Sequence, residues 1–189
     1  MSTLKRLYDT PPKIAINVSG HSLVSDVFYK DVIESLDDQS NIVLELTETA
    51  KVFNLEHITP VFSELTRRGI ELHLDDFGTG YSSISYLLSL QFGMLKIDKC
   101  FISDIDKDSN KQRIVKSILS LAKSCELDVL VEGVETKSEF NTCVSLGVSK
   151  FQGYYFSSPI TLAELIKLIN TQTNPQADIP LESPELKSA

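Results

Sequence analysis

The sequence predicts an α/β fold in which the strands of a parallel sheet alternate with helices. Six short runs of β-branched and aliphatic residues are separated by longer stretches with helical periodicity. The runs start at intervals of roughly 25 to 30 residues, which is the length of one strand–helix unit. Regular alternation of this kind indicates a parallel sheet. The predicted strands are Lys13–Val18, Ile42–Thr47, Ile70–Asp75, Met94–Asp98, Asp128–Glu132 and Lys150–Tyr155.

Amphipathic segments between and after these strands predict four helices. Gly69 and Gly147 stand where a glycine would end a helix just before a strand, since helix ends favour the left-handed conformation that glycine adopts. These elements predict one domain over residues 1–170, and the Pro-, Ser- and Thr-rich segment 171–189 is expected to be a disordered tail. The predicted helices are Ile58–Arg68, Arg113–Ser124, Glu139–Ser145 and Leu162–Asn170.

The composition indicates a globular protein and excludes several classes. Of the 189 residues, 42% are hydrophobic and 23% charged, which is ordinary for one domain with a real core. The net charge of −8 lacks the basic surface that binding to a nucleic acid polymer requires. No apolar run has the roughly 20 residues of a membrane span, and residues 1–12 do not resemble a secretory signal. The cysteines Cys100, Cys125 and Cys143 are widely spaced, which indicates reduced thiols and a cytoplasmic location.

Polar residues that could bind a metal ion or transfer a proton stand at the end of every predicted strand. Parallel strands point their carboxyl ends to one face, and in barrels of such strands that face carries the active site. We therefore expect these side chains to converge. A single acidic residue after a strand is more often a helix N-cap, but caps poorly explain the same feature on consecutive strands. The residues are Asn17, Glu45, Glu48, Asp75, Asp76, Lys96, Asp98, Glu132, Glu135 and Gln152.

The chemistry of this set favours a hard divalent cation. Carboxylates with an amide oxygen suit Mg²⁺ or Mn²⁺, or Ca²⁺, better than a structural zinc ion. The adjacent Asp75 and Asp76 could serve two metal ions, and two ions roughly 3.5–4 Å apart are used for in-line attack on a phosphodiester. Lys96 would hold a positive charge near the water or phosphate, although a plain salt bridge explains it as well.

Six motifs follow one another along the chain: Ile16–Gly20 (INVSG), Glu45–Thr49 (ELTET), Leu74–Ser83 (LDDFGTGYSS), Leu95–Asp98 (LKID), Glu132–Glu135 (EGVE) and Phe151–Pro159 (FQGYYFSSP). In this order they resemble the motifs of EAL domains, bacterial phosphodiesterases that linearise cyclic di-GMP to pGpG. One motif alone would be weak, but six in order are specific. The resemblance covers about residues 13–170. It implies a TIM-like (β/α) barrel that hydrolyses cyclic di-GMP with two Mg²⁺ or Mn²⁺ ions.

The resemblance also implies roles for the metal-binding candidates. Asn17, Glu45 and Asp75 match ligands of the first metal ion, and Asp75 with Asp76 matches the pair that reaches the second. Glu132 is similar to a glutamate that is associated with the metal and could act as a base. These residues would together form the metal site.

Further residues match positions that act on the water or support the site. Lys96 is similar to the lysine that helps to position the attacking water, so that Lys96 and Glu132 are the catalytic candidates. Gln152 matches a glutamine near the active site, and Glu135 is expected to support the site. Glu48 resembles the glutamate that anchors a mobile loop.

That loop follows Asp76 and, by the same resemblance, links metal binding to contacts in a homodimer. Its glycines allow backbone angles that other residues avoid. It comprises Phe77, Gly78, Thr79, Gly80, Tyr81, Ser82 and Ser83. Among the aromatic residues of the last motif, Tyr154, Tyr155 and Phe156, we expect two to pack in the core and one to be free to stack on guanine.

The predicted strands number six, whereas a closed barrel of this type has eight. The resemblance implies two more strands before Lys13, one carrying the EAL glutamate, a metal ligand, and an arginine that contacts phosphate. Residues 1–12 match neither strand. We therefore expect a fragment, a miscalled start or a natural truncation of an EAL domain. Two alternatives to hydrolysis follow, namely a non-catalytic cyclic di-GMP-binding module and a protein-interaction module.

Overall fold

The computed structural model describes residues 12–23, 25, 28, 41–47, 55–79, 87 and 89–172. In this part of the chain, six strands form one parallel sheet, in which each strand pairs with the next along the sequence. The architecture is the predicted α/β fold. The strands are β1 (Ile14–Val18), β2 (Ile42–Thr47), β3 (Glu71–Phe77), β4 (Met94–Ile97), β5 (Asp128–Val131) and β6 (Lys150–Phe151).

Helices connect most of the strands, as the alternation of the sequence predicts. One of them, α4 (Lys137–Leu146), begins two residues before the predicted start at Glu139 because Thr136 caps it. None of the helices in the described ranges has the length and apolar character that a membrane crossing requires. They are α1 (Gly20–Leu23), α2 (Leu55–Arg67), α3 (Ser109–Ser124), α4 (Lys137–Leu146) and α5 (Leu162–Gln172), with a 3₁₀ turn at Lys99–Phe101. The tail was predicted to start at residue 171, but α5 continues to Gln172, and residues 173–189 lie outside the described residues.

The core lies between the central strands and the helices that cover them. Strands β2, β3 and β4 are buried along almost their whole length, as expected for strands that are covered on both faces. Helix α2 buries Ile58, Phe62 and Leu65, which recur on one face because of the helical period. The ring of Phe62 meets that of Phe92 edge-on at 5.4 Å between centroids. This packing fixes the central strands, whose carboxyl ends carry the candidate residues.

Two predicted helix ends are confirmed by the backbone. Gly69 has a φ of +77° and Gly147 a φ of +98°, both in the left-handed region. The Gly147 amide donates to the carbonyl oxygens of Cys143 and Val144 and thereby ends α4. Both glycines let the chain turn sharply into the strand that follows.

The prediction for the last strand is wrong beyond Phe151. Strand β6 contains only Lys150 and Phe151, and the amide of Phe156 donates to the carbonyl of Gly153 in a turn. The chain bends there because it packs against the segment after β5. The Tyr155 amide donates to the carbonyl of Val134 in that segment. Gln152 therefore lies just after the strand and not within it.

Candidate functional site

Parallel pairing brings the predicted residues to one edge of the sheet. Asn17 on β1 pairs in register with Glu45 on β2, and Thr47 pairs with Asp75 on β3. Glu132 follows β5 directly, and its amide donates to the Ile97 carbonyl of β4 at 3.0 Å. Since every strand runs in the same direction, residues that are distant in sequence meet at the carboxyl-terminal edge.

A β-bulge at the end of β3 lets two consecutive aspartates face the same site. In a regular strand, successive side chains point to opposite faces, so Asp75 and Asp76 would be separated. The register between β3 and β4 shifts between Leu74 and Phe77, which leaves both aspartates opposite Lys96 alone. Asp76 has a φ of +56°, a left-handed conformation that costs roughly 1–2 kcal/mol for a residue with a side chain. Side-chain oxygens of the two aspartates consequently lie within 4.8 Å of each other.

Lys96 joins three carboxylates at the base of the site. Its Nζ atom is 2.8 Å from Glu45 Oε2, 3.0 Å from Asp75 Oδ1 and 2.7 Å from Glu132 Oε1. The side chain is nearly inaccessible, at 2% exposure for the residue. Burial alone would lower the pKa of Lys96, but the hydrogen bonds to Glu132 and Glu45 outweigh it and hold the pKa above its ordinary value. Lys96 is thus a fixed positive charge that ties three segments together.

A second set of three carboxylates, which shares two members with the partners of Lys96, forms a group that could hold a metal ion. Asp75, Asp76 and Glu132 each offer an oxygen atom, and these atoms lie within 4.8 Å of one another. Burial and the charges of Asp75 and Asp98 raise the pKa of Asp76. Burial also raises the pKa of Glu132, although the hydrogen bond from Lys96 opposes the rise. Negative charge is therefore concentrated beyond what one lysine balances, a situation that a divalent cation relieves.

A cavity of about 360 Å³ opens beside this group. Glu45, Asp75 and Lys96 are buried next to it. A slightly larger cavity of about 410 Å³ lies between α2 and the segment before β4, but Arg67 is the one charged residue in its described lining. We therefore place the functional site at the carboxyl ends of the strands. The cavity there is lined by Asp76, Asp98, Lys99, Glu132, Gly133, Glu135, Gln152, Gly153 and Tyr154.

The segment after β5 forms part of the cavity wall and is held there by close packing against the segments after β4 and β6. The Val134 amide donates to the Gln152 carbonyl at 3.2 Å. A Cβ atom on Gly153 would lie 2.1 Å from the Val134 carbonyl oxygen, and one on Gly133 would lie 2.3 Å from Lys99 Cβ. Glycine at both positions therefore lets three loops touch and brings their polar residues around one cavity.

The structure adds lining residues that the sequence did not assign to the site. Asp98, which also lines the cavity, was already among the polar strand ends expected to converge. Its carboxylate accepts from the Cys100 amide at 2.8 Å and caps the 3₁₀ turn. Lys99, Gly133 and Gly153 also line the cavity. The available signal was their position beside Asp98, Glu132 and Gln152 in the motifs, but sequence alone does not reveal which neighbours face the cavity.

Part of the predicted loop and its anchor lie outside the described residues, namely residues 80–83 and Glu48. The beginning of the loop is described. Phe77 is buried as the last residue of β3. The Thr79 hydroxyl donates to the Asp76 carbonyl at 3.0 Å. The loop therefore leaves the sheet directly from the bulge that carries the two aspartates.

The expectation that two of the three aromatic residues of the last motif pack in the core is met only in part. Tyr155 is half-buried against the core, but Phe156 is 44% exposed. Tyr155 stacks on Phe140 with 5.6 Å between ring centroids, and Phe156 meets Phe140 edge-on at 5.7 Å. Tyr154 is 63% exposed and lines the cavity. Tyr154 is thus the aromatic residue of the motif that is placed to contact a ligand.

Comparison with known proteins decides the family. The family model described as the EAL domain matches residues 1–159. The chain belongs to the EAL domain family. It is 34% identical over 160 residues to the protein named "Probable cyclic di-GMP phosphodiesterase PdeG" of Escherichia coli (strain K12), an alignment that covers 82% of this chain and 32% of PdeG. This EAL domain therefore spans about a third of the length of that relative.

Solved EAL structures have the same fold. The EAL domain of Mycobacterium smegmatis DcpA superposes with a TM-score of 0.80 at 32% identity, covering 84% of this chain and 73% of that one. Klebsiella pneumoniae BlrP1, solved as a complex with manganese and cyclic di-GMP, superposes with a TM-score of 0.71 at 32% identity, covering 78% and 39%. The six-stranded α/β sheet is accordingly an EAL-type, TIM-barrel-like sheet.

Proposed function

We propose that this EAL domain hydrolyses cyclic di-GMP to pGpG with Mg²⁺ or Mn²⁺ ions. The observation that carries the proposal is the group formed by Asp75, Asp76 and Glu132 around the buried Lys96, at the edge of a cavity. The similarity to PdeG, whose name is "Probable cyclic di-GMP phosphodiesterase PdeG", supports the reaction. BlrP1, solved with manganese and cyclic di-GMP, supports the choice of cofactor and substrate.

The donor set fits a hard divalent cation. Asp75, Asp76 and Glu132 would hold the metal ion. Glu45 on β2 and Asn17, which pairs with it on β1, lie on the two strands that precede β3 in the sheet. The raised pKa values of Asp76 and Glu132 support this assignment, because buried negative charge without enough positive charge favours cation binding. When bound, such ions lower the pKa of a water molecule and stabilise negative charge on phosphate oxygens.

The residues of the chain itself orient the reacting groups. Lys96 stays protonated, so it fixes the carboxylates of Glu45, Asp75 and Glu132 and supplies a positive charge to the attacking water or to the phosphate. Of its three partners, Glu132 lines the cavity. We assign to Glu132 the orientation of the water and the acceptance of its proton.

The remaining lining residues suit the nucleotide. Tyr154 presents an exposed ring on which guanine can stack. Gln152 and Glu135 offer side-chain hydrogen-bonding groups in the same cavity. Stacking and a few directed hydrogen bonds are what fix the orientation of a small ligand.

Turnover of cyclic di-GMP by the full chain tests the proposal. The protein is incubated with cyclic di-GMP and Mn²⁺ or Mg²⁺, and pGpG is separated by chromatography. We expect metal-dependent pGpG that Asp75→Asn reduces at least about 100-fold, because an amide is a weaker ligand than a carboxylate for these ions. The control Lys150→Met, at an exposed ion pair with Asp128, should retain activity.

Two results would contradict the proposal. Turnover that is unchanged in Asp75→Asn would place the chemistry elsewhere. A folded chain that binds cyclic di-GMP in Mn²⁺ without forming pGpG would favour the non-catalytic binding module, and calorimetric titration of wild type and Asp75→Asn would measure that binding directly.

A further inference from the structure

Glu139, in the first turn of α4, is a buried carboxylate that neither the metal group nor the cavity lining includes. The residue is 6% exposed. Its Oε1 atom accepts from the Asp104 amide at 2.8 Å. Its Oε2 atom accepts from the amides of Glu135 at 3.0 Å and Thr136 at 2.9 Å. The Glu139 side chain thus binds two segments of the chain at once. One is the segment just before α4, and the other contains Asp104, which precedes Glu139 by 35 residues in the sequence.

Only part of this arrangement belongs to the helix itself. Thr136 and Glu139 form a capping box, in which each side chain accepts from the backbone amide of the other residue. The bonds from Glu135 and Asp104 go beyond that box. Asp104 has a φ of +56°, a left-handed conformation that needs support from its surroundings. Glu139 supplies such support through the Asp104 amide.

Both segments that Glu139 binds carry groups of the candidate site. The segment after β5 carries Glu132 and Glu135, and the segment after β4 begins with Asp98 and Lys99. These segments touch at Gly133, where even a Cβ atom would lie 2.3 Å from Lys99 Cβ. A small displacement of one segment against the other would therefore move the carboxylates of the site.

We propose that Glu139 is a positioning residue, which locks the segment after β5 against the segment after β4 and so holds Glu132 and Glu135 in place over the cavity. The consequence for metal binding and turnover rests on the proposed function. The locking itself does not. Supporting groups of this kind, which orient metal ligands without touching the metal, typically change metal affinity 10–100-fold when they are mutated.

The substitution Glu139→Gln separates the lock from the helix cap. Glutamine at this position still completes a capping box, so its oxygen can accept from Thr136 and Glu135. Its amide nitrogen then faces the Asp104 amide, where two donors meet and no hydrogen bond forms. The variant is thus expected to retain α4 and to lose the connection to the segment after β4.

The chain offers a matched control in a second Thr-x-x-Glu sequence. At the start of α5, the Glu164 carboxylate accepts from the amide and the hydroxyl of Thr161 at 2.7 Å each. The hydrogen bonds described for Glu164 stay within this box. Glu164→Gln therefore makes the same chemical change to a helix cap that does not join two loops of the site.

The experiment measures amide hydrogen exchange and Mn²⁺ affinity in the full chain for wild type, Glu139→Gln and Glu164→Gln. We expect the Asp104 amide of Glu139→Gln to exchange at least about 10-fold faster, which corresponds to the loss of a hydrogen bond to a charged group. Calorimetry should show the dissociation constant for Mn²⁺ raised about 10-fold or more in this variant. Glu164→Gln should match wild type in both measurements.

Each result decides one part of the proposal. Unchanged exchange at Asp104, or the same loss of Mn²⁺ affinity in both variants, would overturn the locking role. Faster exchange together with unaltered Mn²⁺ affinity and pGpG formation would overturn the positioning of the site. A wild-type chain that binds no Mn²⁺ and forms no pGpG would overturn the proposed function instead, while the exchange of Asp104 would still test the lock.

Discussion

At the scale of single residues, the site depends on charges that balance only in part. Lys96 lies within 3.0 Å of carboxylates from β2, from β3 and from the segment after β5. Asp76 is held in a left-handed conformation at the bulge. Both features are costly for folding alone, since buried charges must be compensated and strained backbone must be supported. Their cost is understandable if the same groups bind a cation and a phosphate.

We predict that Lys96→Met destabilises the metal-free protein by about 3–5 kcal/mol, because it leaves the buried carboxylates of Glu45 and Asp75 and the half-buried one of Glu132 without their counter-charge. Urea unfolding in EDTA measures the change. The control is Lys150→Met, which removes a lysine from an exposed pair with Asp128 and should cost less than about 1 kcal/mol. Equal losses in the two variants would contradict the buried role of Lys96.

A second prediction concerns the backbone of Asp76. Asp76→Gly should be more stable than Asp76→Ala by about 1 kcal/mol or more, because glycine adopts positive φ without strain. Both variants lack the carboxylate and should lose Mn²⁺-dependent turnover. Urea unfolding in EDTA gives the stabilities, and equal stability of the two variants would show that Asp76 is not left-handed in solution.

At the scale of elements, the sequence predicted periodic features well and local bends poorly. The bounds of β2 are as predicted, since its six residues Ile42–Thr47 are apolar at most positions and clearly delimited. The predicted Lys150–Tyr155 strand failed because Gly153 packs on the backbone of another loop, a tertiary contact that periodicity cannot reveal. The Thr136-x-x-Glu139 pattern in the sequence indicates the start of α4. The contact of Glu139 with the Asp104 amide cannot be predicted from the sequence.

The glycine contacts between loops carry the third prediction. Gly153→Ala should destabilise the protein by more than Gly147→Ala and should also reduce turnover. The added Cβ atom would lie 2.1 Å from the carbonyl oxygen of Val134. In the sequence, Val134 stands between Glu132 and Glu135, two residues of the candidate site. Alanine at Gly147 meets no atom within 4 Å, so its cost is confined to the positive φ, roughly 1–2 kcal/mol.

Urea unfolding and the pGpG assay measure both glycine variants. A Gly153→Ala protein with wild-type turnover would show that the loop contact does not shape the site. Loss of activity in Gly147→Ala alone would point to α4, and not to the contact between loops, as the sensitive element.

At the scale of the whole molecule, the fold explains why residues spread from Glu45 to Glu132 form one group. Parallel strands bring their carboxyl ends together, and this convergence could be predicted from the alternation of strands and polar strand ends. The bulge that turns Asp75 and Asp76 to one site could not, because its register shift depends on pairing with β4. The homodimer through the loop after Asp76 stays a prediction, for which light scattering coupled to size-exclusion chromatography is the test.

The central claim is that Asp75, Asp76 and Glu132 hold the divalent cation of the site. Anomalous diffraction from crystals of the full chain grown with saturating Mn²⁺ tests it most directly. We predict an anomalous peak within coordination distance of these three carboxylates, lost in Asp75→Asn crystals grown in the same way. A peak bound elsewhere, or a wild-type site without any peak, would contradict the account.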